Sequence, residues 1–143
     1  MLTLTFISLA IALIGGAQAT TSPNIMCQIP GYSQGIGVSG DYIAEGIKYL
    51  RKQNGSATLG HQEGGGWCYR YSCSYNSAIY GCNDNQFDVE VPWSTIADYA
   101  ESIKDKCNWQ VRSGRRDVEM VQGQAFDSGD WNVIVGMEDN TSC

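Results

Sequence analysis

The chain has 143 residues, of which 43% are hydrophobic, and 15 acidic against 9 basic side chains give it a net charge of -6. That length supports one domain, and 17% charged with 10% aromatic residues is the composition of a folded chain, not a disordered one. The acidic balance excludes nucleic acid as a partner, because phosphate binding needs a basic face.

The chain opens with an apolar, uncharged run from Leu2 to Ile14, followed by Gly15-Gly16 and then Ala17-Gln18-Ala19. This is the pattern of a signal peptide over residues 1–19, cleaved after Ala19. The run spans about 13 residues where a membrane-crossing helix needs about 20, so no stable membrane insertion is expected. Residues 20–143 then form a single secreted, extracellular domain. All six cysteines, Cys27, Cys68, Cys73, Cys82, Cys107 and Cys143, fall in it. In a secreted domain of this size an even cysteine count predicts three disulfides, with the pairing open. Zinc is the competing reading, but the spacing Cys68-x4-Cys73-x8-Cys82 lacks paired C-x2-C knuckles and the single histidine, His61, stands apart. Neither a metal nor another cofactor is therefore expected. Asn54-Gly55-Ser56 and Asn140-Thr141-Ser142 are N-glycosylation acceptors in segments that read as loops.

Thr20 to Gly40 is rich in Gly, Ser and Pro and reads as an irregular arm pinned by Cys27, with room for one short edge strand. From Asp41 to Gln53, Ile43, Ile47 and Leu50 recur at helical spacing, with Ser39 or Asp41 as cap and Asn54-Gly55 as stop. Gly46 inside this helix costs about 1 kcal/mol relative to Ala. Ser56 to Gly66 reads as a loop ending in three glycines. Trp67 to Cys73 and Ala78 to Cys82 are strands joined by a Ser74-Tyr75-Asn76-Ser77 turn, and Phe87 to Val91 alternates as a strand with one wet face. Ile96, Tyr99, Ala100, Ile103 and Cys107 define the buried stripe of a second helix over Ser94 to Cys107, capped by Ser94 or Thr95. The place of Cys107 on that stripe predicts a disulfide clamping the helix to the sheet. Trp109 to Arg112, Val118 to Val121 and Trp131 to Val135 complete the strands. The expected fold is α+β, a two-layer sandwich with two helices on one face of a mostly antiparallel sheet.

A single histidine leaves no Ser-His-Asp set with a Gly-x-Ser-x-Gly elbow and no histidine pair for acid and base catalysis. The most enzyme-like stretch is His61-Gln62-Glu63 before Gly64-Gly65-Gly66, whose backbone N-H groups are candidates to face an anion or a carbonyl oxygen. His61 and Glu63 are its candidate catalytic residues. Glu63, Asp84, Asp88, Glu90 and Asp130 qualify for paired-carboxylate chemistry by residue type alone. Binding is better supplied. On a strand, Trp67, Tyr69 and Tyr71 share one face and Cys68 and Arg70 the other, so the three aromatics form a candidate stacking row. Arg112, Arg115 and Arg116 concentrate positive charge on a turn and are candidates to meet an acidic partner.

The block from Trp67-Cys68-Tyr69-Arg70-Tyr71-Ser72-Cys73-Ser74 through Ala78-Ile79-Tyr80-Gly81-Cys82-Asn83-Asp84-Asn85 to Ile96-Ala97-Asp98-Tyr99-Ala100 and Cys107 resembles the small secreted cysteine-rich proteins of filamentous ascomycete fungi. The element order is also similar to that of necrosis-inducing-factor-like and killer-toxin-like proteins, a likeness of architecture. The resemblance implies a non-enzymatic effector-like or toxin-like protein. It would act, as a monomer, on a protein or surface glycan of a host or competitor. It carries over no catalytic residues. The alternative expectation is a small secreted hydrolase or carbohydrate-binding protein working through His61 to Gly66.

Overall fold

The computed structural model describes residues 22–29, 36–137 and 143. The signal-peptide reading and the Asn140 acceptor lie outside the described residues. Twelve elements follow one another: β1 (Asn24–Met26), β2 (Val38–Ser39), α1 (Gly40–Leu50), β3 (Ser56–Leu59), β4 (Trp67–Ser74), β5 (Ser77–Asn83), β6 (Val89–Pro92), α2 (Trp93–Cys107), β7 (Asn108–Ser113), β8 (Arg116–Val121), β9 (Gly123–Phe126) and β10 (Trp131–Met137). The class is α+β, and every described strand pairing is antiparallel.

The strands divide among three sheets instead of forming one: a five-stranded sheet in the order β1-β9-β10-β5-β4, a three-stranded sheet β2-β8-β7 and a ribbon β3-β6. Three of the strands depart from the sequence expectation. β3 occupies a stretch expected to be loop. Ala57 and Leu59 are buried while Ser56 and Thr58 are exposed, but this alternation is too short to stand out until β6 pairs with it, Ala57 opposite Val91 and Leu59 opposite Val89. β9 has the sequence Gly-Gln-Ala-Phe and little strand propensity. It is held by β1 on one side and β10 on the other. The arm supplies two short strands, β1 and β2, where one was expected.

Both helices end near their expected residues; the N-cap of α1 falls at Ser39, one of its two expected positions, while that of α2 precedes Ser94 and Thr95. Ser39 and Pro92 occupy the N-cap positions, without a side-chain cap hydrogen bond at either. The helices meet through Arg51 at the end of α1, whose Nη2 lies 2.8 Å from Asp98 Oδ1 and 2.5 Å from Glu101 Oε2 of α2. Lys104 of α2 pairs with Glu119 of β8 at 2.6 Å. Ile43, Ile47 and Leu50 from α1, and Ile96, Tyr99, Ala100 and Ile103 from α2, join Ile79, Val121, Val133 and Val135 in one buried cluster. Ile79 and Gly123 both lie opposite Val135. α1 approaches this cross-strand row at Ile79, which lies beside Gly46, and α2 approaches it at Gly123, which lies beside Ile103 and Cys107.

Three disulfides, Cys27–Cys107, Cys68–Cys82 and Cys73–Cys143, use all six cysteines. The first ties the end of α2 to the residue after β1, at the edge of the five-stranded sheet, as the position of Cys107 implied. The second joins residues directly opposite each other on β4 and β5, with 4.1 Å between their Cα atoms. The third fixes β4 to Cys143. Among the described residues no helix is long and apolar enough to cross a membrane.

Candidate aromatic edge and cleft

β4 is the edge strand of the five-stranded sheet, and its aromatic residues stand as the alternation predicts. Trp67 and Tyr69 have nearly parallel rings, 11° apart in plane, with centroids separated by 6.1 Å. Tyr69 and Tyr71 follow at 5.2 Å, and Tyr71 meets Trp93 edge-on at 5.2 Å. Packing fixes the ends of the row. Trp67 lies so close over Gly60 that a Cβ there would stand 2.8 Å from the indole. Tyr71 packs over Gly81 and donates its hydroxyl to the Thr58 carbonyl at 2.9 Å. Burial, with smaller contributions from Tyr69 and Glu90, pushes the Tyr71 phenol up to about 12, so it remains a donor at neutral pH. Tyr69 is left 57% exposed, between two anchored rings.

The register slips between Arg70 and Ser72, making Tyr71 the extra residue of a β-bulge. Past the bulge the facing of the strand changes by one residue. Ser72, opposite Ile79, therefore turns toward α1 on the side where Tyr71 stands, and Cys73 turns the other way to reach Cys143. Tyr71, Ser72, Cys73 and Ser74 form one wall of a cleft of about 360 Å³, and Glu45, Gly46 and Tyr49 of α1 form the other. Among the described residues, the Glu45 carboxylate and the Tyr49, Ser72 and Ser74 hydroxyls have no hydrogen-bond or ion-pair partner.

At the other end of the row, His61 Nδ1 lies 2.6 Å from Asp88 Oδ1, with both side chains about half exposed. A carboxylate only accepts, so Nδ1 carries the proton and Nε2 of the neutral ring is left as an acceptor. Glu63, expected beside His61, is exposed and makes no such contact. The glycine triplet is a defined turn, with φ of +86°, +79° and +74° at Gly64, Gly65 and Gly66. Its N-H groups do not form the expected anion cradle. Gly65 N-H donates to the Gln62 carbonyl at 3.0 Å, and Gly66 N-H donates to Asp84 Oδ1 at 3.1 Å, where the carboxylate already occupies the place of an anion.

The residue that assembles this end is Asn83, fully buried. Its Nδ2 lies 2.8 Å from the carbonyls of Gly60 and Phe87 and 3.3 Å from that of Leu59. Its Oδ1 accepts from the backbone and side chain of Asn85. Gly60 precedes His61 and Phe87 precedes Asp88, so one amide sets the spacing of the pair. Asn83 is the last residue of β5, and nothing in its sequence neighbours distinguishes a buried clasp from a turn asparagine.

Arg112, Arg115 and Arg116 lie at the exposed end of the β7-β8 hairpin, in a different sheet from the aromatic row. Arg112 approaches Asp117 at 3.8 Å, with both side chains well exposed. Asn54 is exposed in the turn after α1. Among the described residues no group of three His, Cys, Asp or Glu side chains is arranged to hold a metal ion. No family model, curated protein or solved structure matches the chain.

Proposed function

We propose that the chain is a secreted binding protein, effector-like or toxin-like, that engages a host or competitor surface through the aromatic edge of β4. The observation that carries this reading is Tyr69, a large ring more than half exposed and held between two anchored aromatics. A soluble domain gains nothing in stability from such exposure, whereas a contact surface needs it. Three disulfides fit an oxidising extracellular compartment. Asn54, exposed after α1, would then carry glycan. In this reading the helices and the five-stranded sheet stack as two layers, and the protein acts as a monomer.

The test is binding of the labelled full chain to a panel of fungal, plant and insect cell surfaces. Tyr69→Ala should weaken capture about tenfold with the fold unchanged, and undiminished capture would remove β4 as the contact surface. The 2.6 Å contact of His61 with Asp88 favours a second reading, a hydrolase using His61 Nε2 as general base. Under the binding reading His61→Ala and Glu63→Ala both leave the biological effect intact, and its loss in His61→Ala would establish the hydrolase instead.

A further inference from the structure

We infer that the β4 edge and the α1-β4 cleft together form a binding site for a neutral oligosaccharide, with the chain of sugars running from Trp67 toward Ser74. This rests on the reading of β4 as the contact surface and adds the chemistry of what it contacts. Tyr71 belongs to both parts of the site: its ring continues the row from Tyr69 and also lines the cleft. From Trp67 to Ser74 is seven strand rises, about 23 Å at ~3.3 Å each. Several consecutive sugar rings fit along that length.

Sugars are amphipathic in a way this edge matches. Their rings present apolar C-H faces, which pack on the face of an aromatic ring, and Tyr69, more than half exposed between Trp67 and Tyr71, offers such a face. Their hydroxyls both donate and accept. The cleft answers with a carboxylate that accepts, Glu45, and hydroxyls that do both, on Tyr49, Ser72 and Ser74, all without partners among the described residues. Its volume of about 360 Å³ falls in the range of small-ligand sites, ~300–1,000 Å³, where a mixed lining with a few placed polar groups is usual.

Charge narrows the ligand. Glu45 lines the cleft and Glu90 acts on Tyr71, in a chain of net charge -6, so a phosphorylated, sulfated or uronic-acid ligand is repelled. A cationic peptide such as oligolysine pairs with the carboxylate and accepts from the hydroxyls through its carbonyl groups, but it brings no flat apolar face to lie on the Tyr69 ring. The site is also held ready in advance. The bulge at Tyr71 aims Tyr71 and Ser72 the same way, Cys73–Cys143 pins the strand beside them, and Gly46 lets α1 approach. A pre-formed site spares the ordering cost that would otherwise offset weak individual contacts.

The experiment is calorimetric titration of the full chain with hexamers of N-acetylglucosamine, β-1,4-glucose, β-1,3-glucose, β-1,4-xylose and β-1,4-mannose, with an oligolysine peptide as the cationic control. At least one neutral hexamer should bind with a Kd below about 1 mM. Tyr69→Ala and Glu45→Gln should each weaken it about tenfold. Both residues are exposed, so the variants should keep the wild-type unfolding midpoint. Binding of oligolysine with no hexamer bound overturns the inference, as does hexamer binding that both variants retain. If no hexamer binds while Tyr69→Ala still loses capture by cell surfaces, the oligosaccharide inference fails and the contact-surface reading stands. Loss of neither fails both.

Discussion

Gly46 of α1 and Ser72 of β4 are in direct contact: a Cβ at position 46 would stand 2.6 Å from Ser72 Oγ and 3.0 Å from Ile79 Cδ1. A glycine in mid-helix, unfavourable when α1 is considered alone, is what lets the helix lie this close to the strand. The same approach forms the floor of the cleft.

Gly46→Ala therefore sets two effects against each other. Helix propensity favours alanine by about 1 kcal/mol, while inserting a methyl into a filled contact costs ~1–3 kcal/mol. Ser72 sits on a bulged edge strand and yields only in part, because Ile79 behind it is fully buried. A net destabilisation of about 1 kcal/mol is expected in urea unfolding. A variant as stable as the wild type or more so would mean that α1 stands further from β4.

The disulfides should differ in their effect on stability in the order of the loops they close. Cys27–Cys107 spans 80 residues and Cys68–Cys82 spans 14. Loop-closure entropy assigns them about 4.5 and about 3 kcal/mol. Replacing Cys27 and Cys107 by serine should lower the denaturant midpoint more than replacing Cys68 and Cys82, which already face each other across a paired hairpin. The reverse order would place the stabilisation in native-state contacts. Mass mapping under non-reducing conditions should find no free thiol.

Both helices and the β4-β5 hairpin were legible in the sequence because each carries its own signal. Ile96 to Cys107 recurs at helical spacing, and the turn at Tyr75-Asn76 has φ of +46° and +60°, positive values that asparagine tolerates. The row of Trp67, Tyr69 and Tyr71 followed from alternation alone. β3, β9 and the cleft did not, because each depends on a partner distant in sequence: Leu59 is a strand residue only because Val89 lies opposite, and Ser72 faces α1 only because one extra residue shifts the register. The pairing of His61 with Asp88 instead of Glu63 has the same origin, since it is set by Asn83 from a third segment.

Tyr71 and Tyr99 should make the fold sensitive to alkali. Burial raises both phenols above the ordinary value of 10, Tyr71 to about 12 and Tyr99 further with help from its hydrogen bond to Asp127. A raised folded-state pKa gives a contribution that is fully present below pH 10 and is lost as pH climbs toward and past 12. In a titration of the phenolate absorbance, the Tyr71 and Tyr99 steps should fall late, and their ionisation should coincide with unfolding. Tyr71→Phe should remove one late step. A wild-type titration without these late steps would contradict the burial of both rings.

The contact of Arg51 with Asp98 and Glu101 should act at the acid end. The hydrogen bond from Arg51 holds the Glu101 carboxyl below its usual range, so its contribution is present at neutral pH and is lost as pH falls through that lowered value. All three side chains are more than 40% exposed, so the loss in Arg51→Ala at pH 7 should stay within ~0–1 kcal/mol. At a pH below the carboxyl's lowered value, wild type and variant should converge. A persistent gap there would mean that Arg51 stabilises through packing of its stem and not through charge.

Asn83→Ala should cost more than any of these surface contacts. It removes the donor shared by the carbonyls of Leu59, Gly60 and Phe87 and the acceptor used by Asn85, at a fully buried position. Unpaired buried groups cost ~1–3 kcal/mol apiece, and partial access of water to the exposed loop recovers some of that. A destabilisation of about 2–4 kcal/mol is expected. Amide exchange should accelerate in residues 60–66 and 85–88 before it does in α2, because these two segments are the ones the amide joins. Asn83→Asp should be at least as damaging, since it exchanges a donor for a buried charge facing three carbonyl oxygens. Uniform acceleration across the fold would instead make Asn83 a global core residue, with no particular hold on His61 and Asp88.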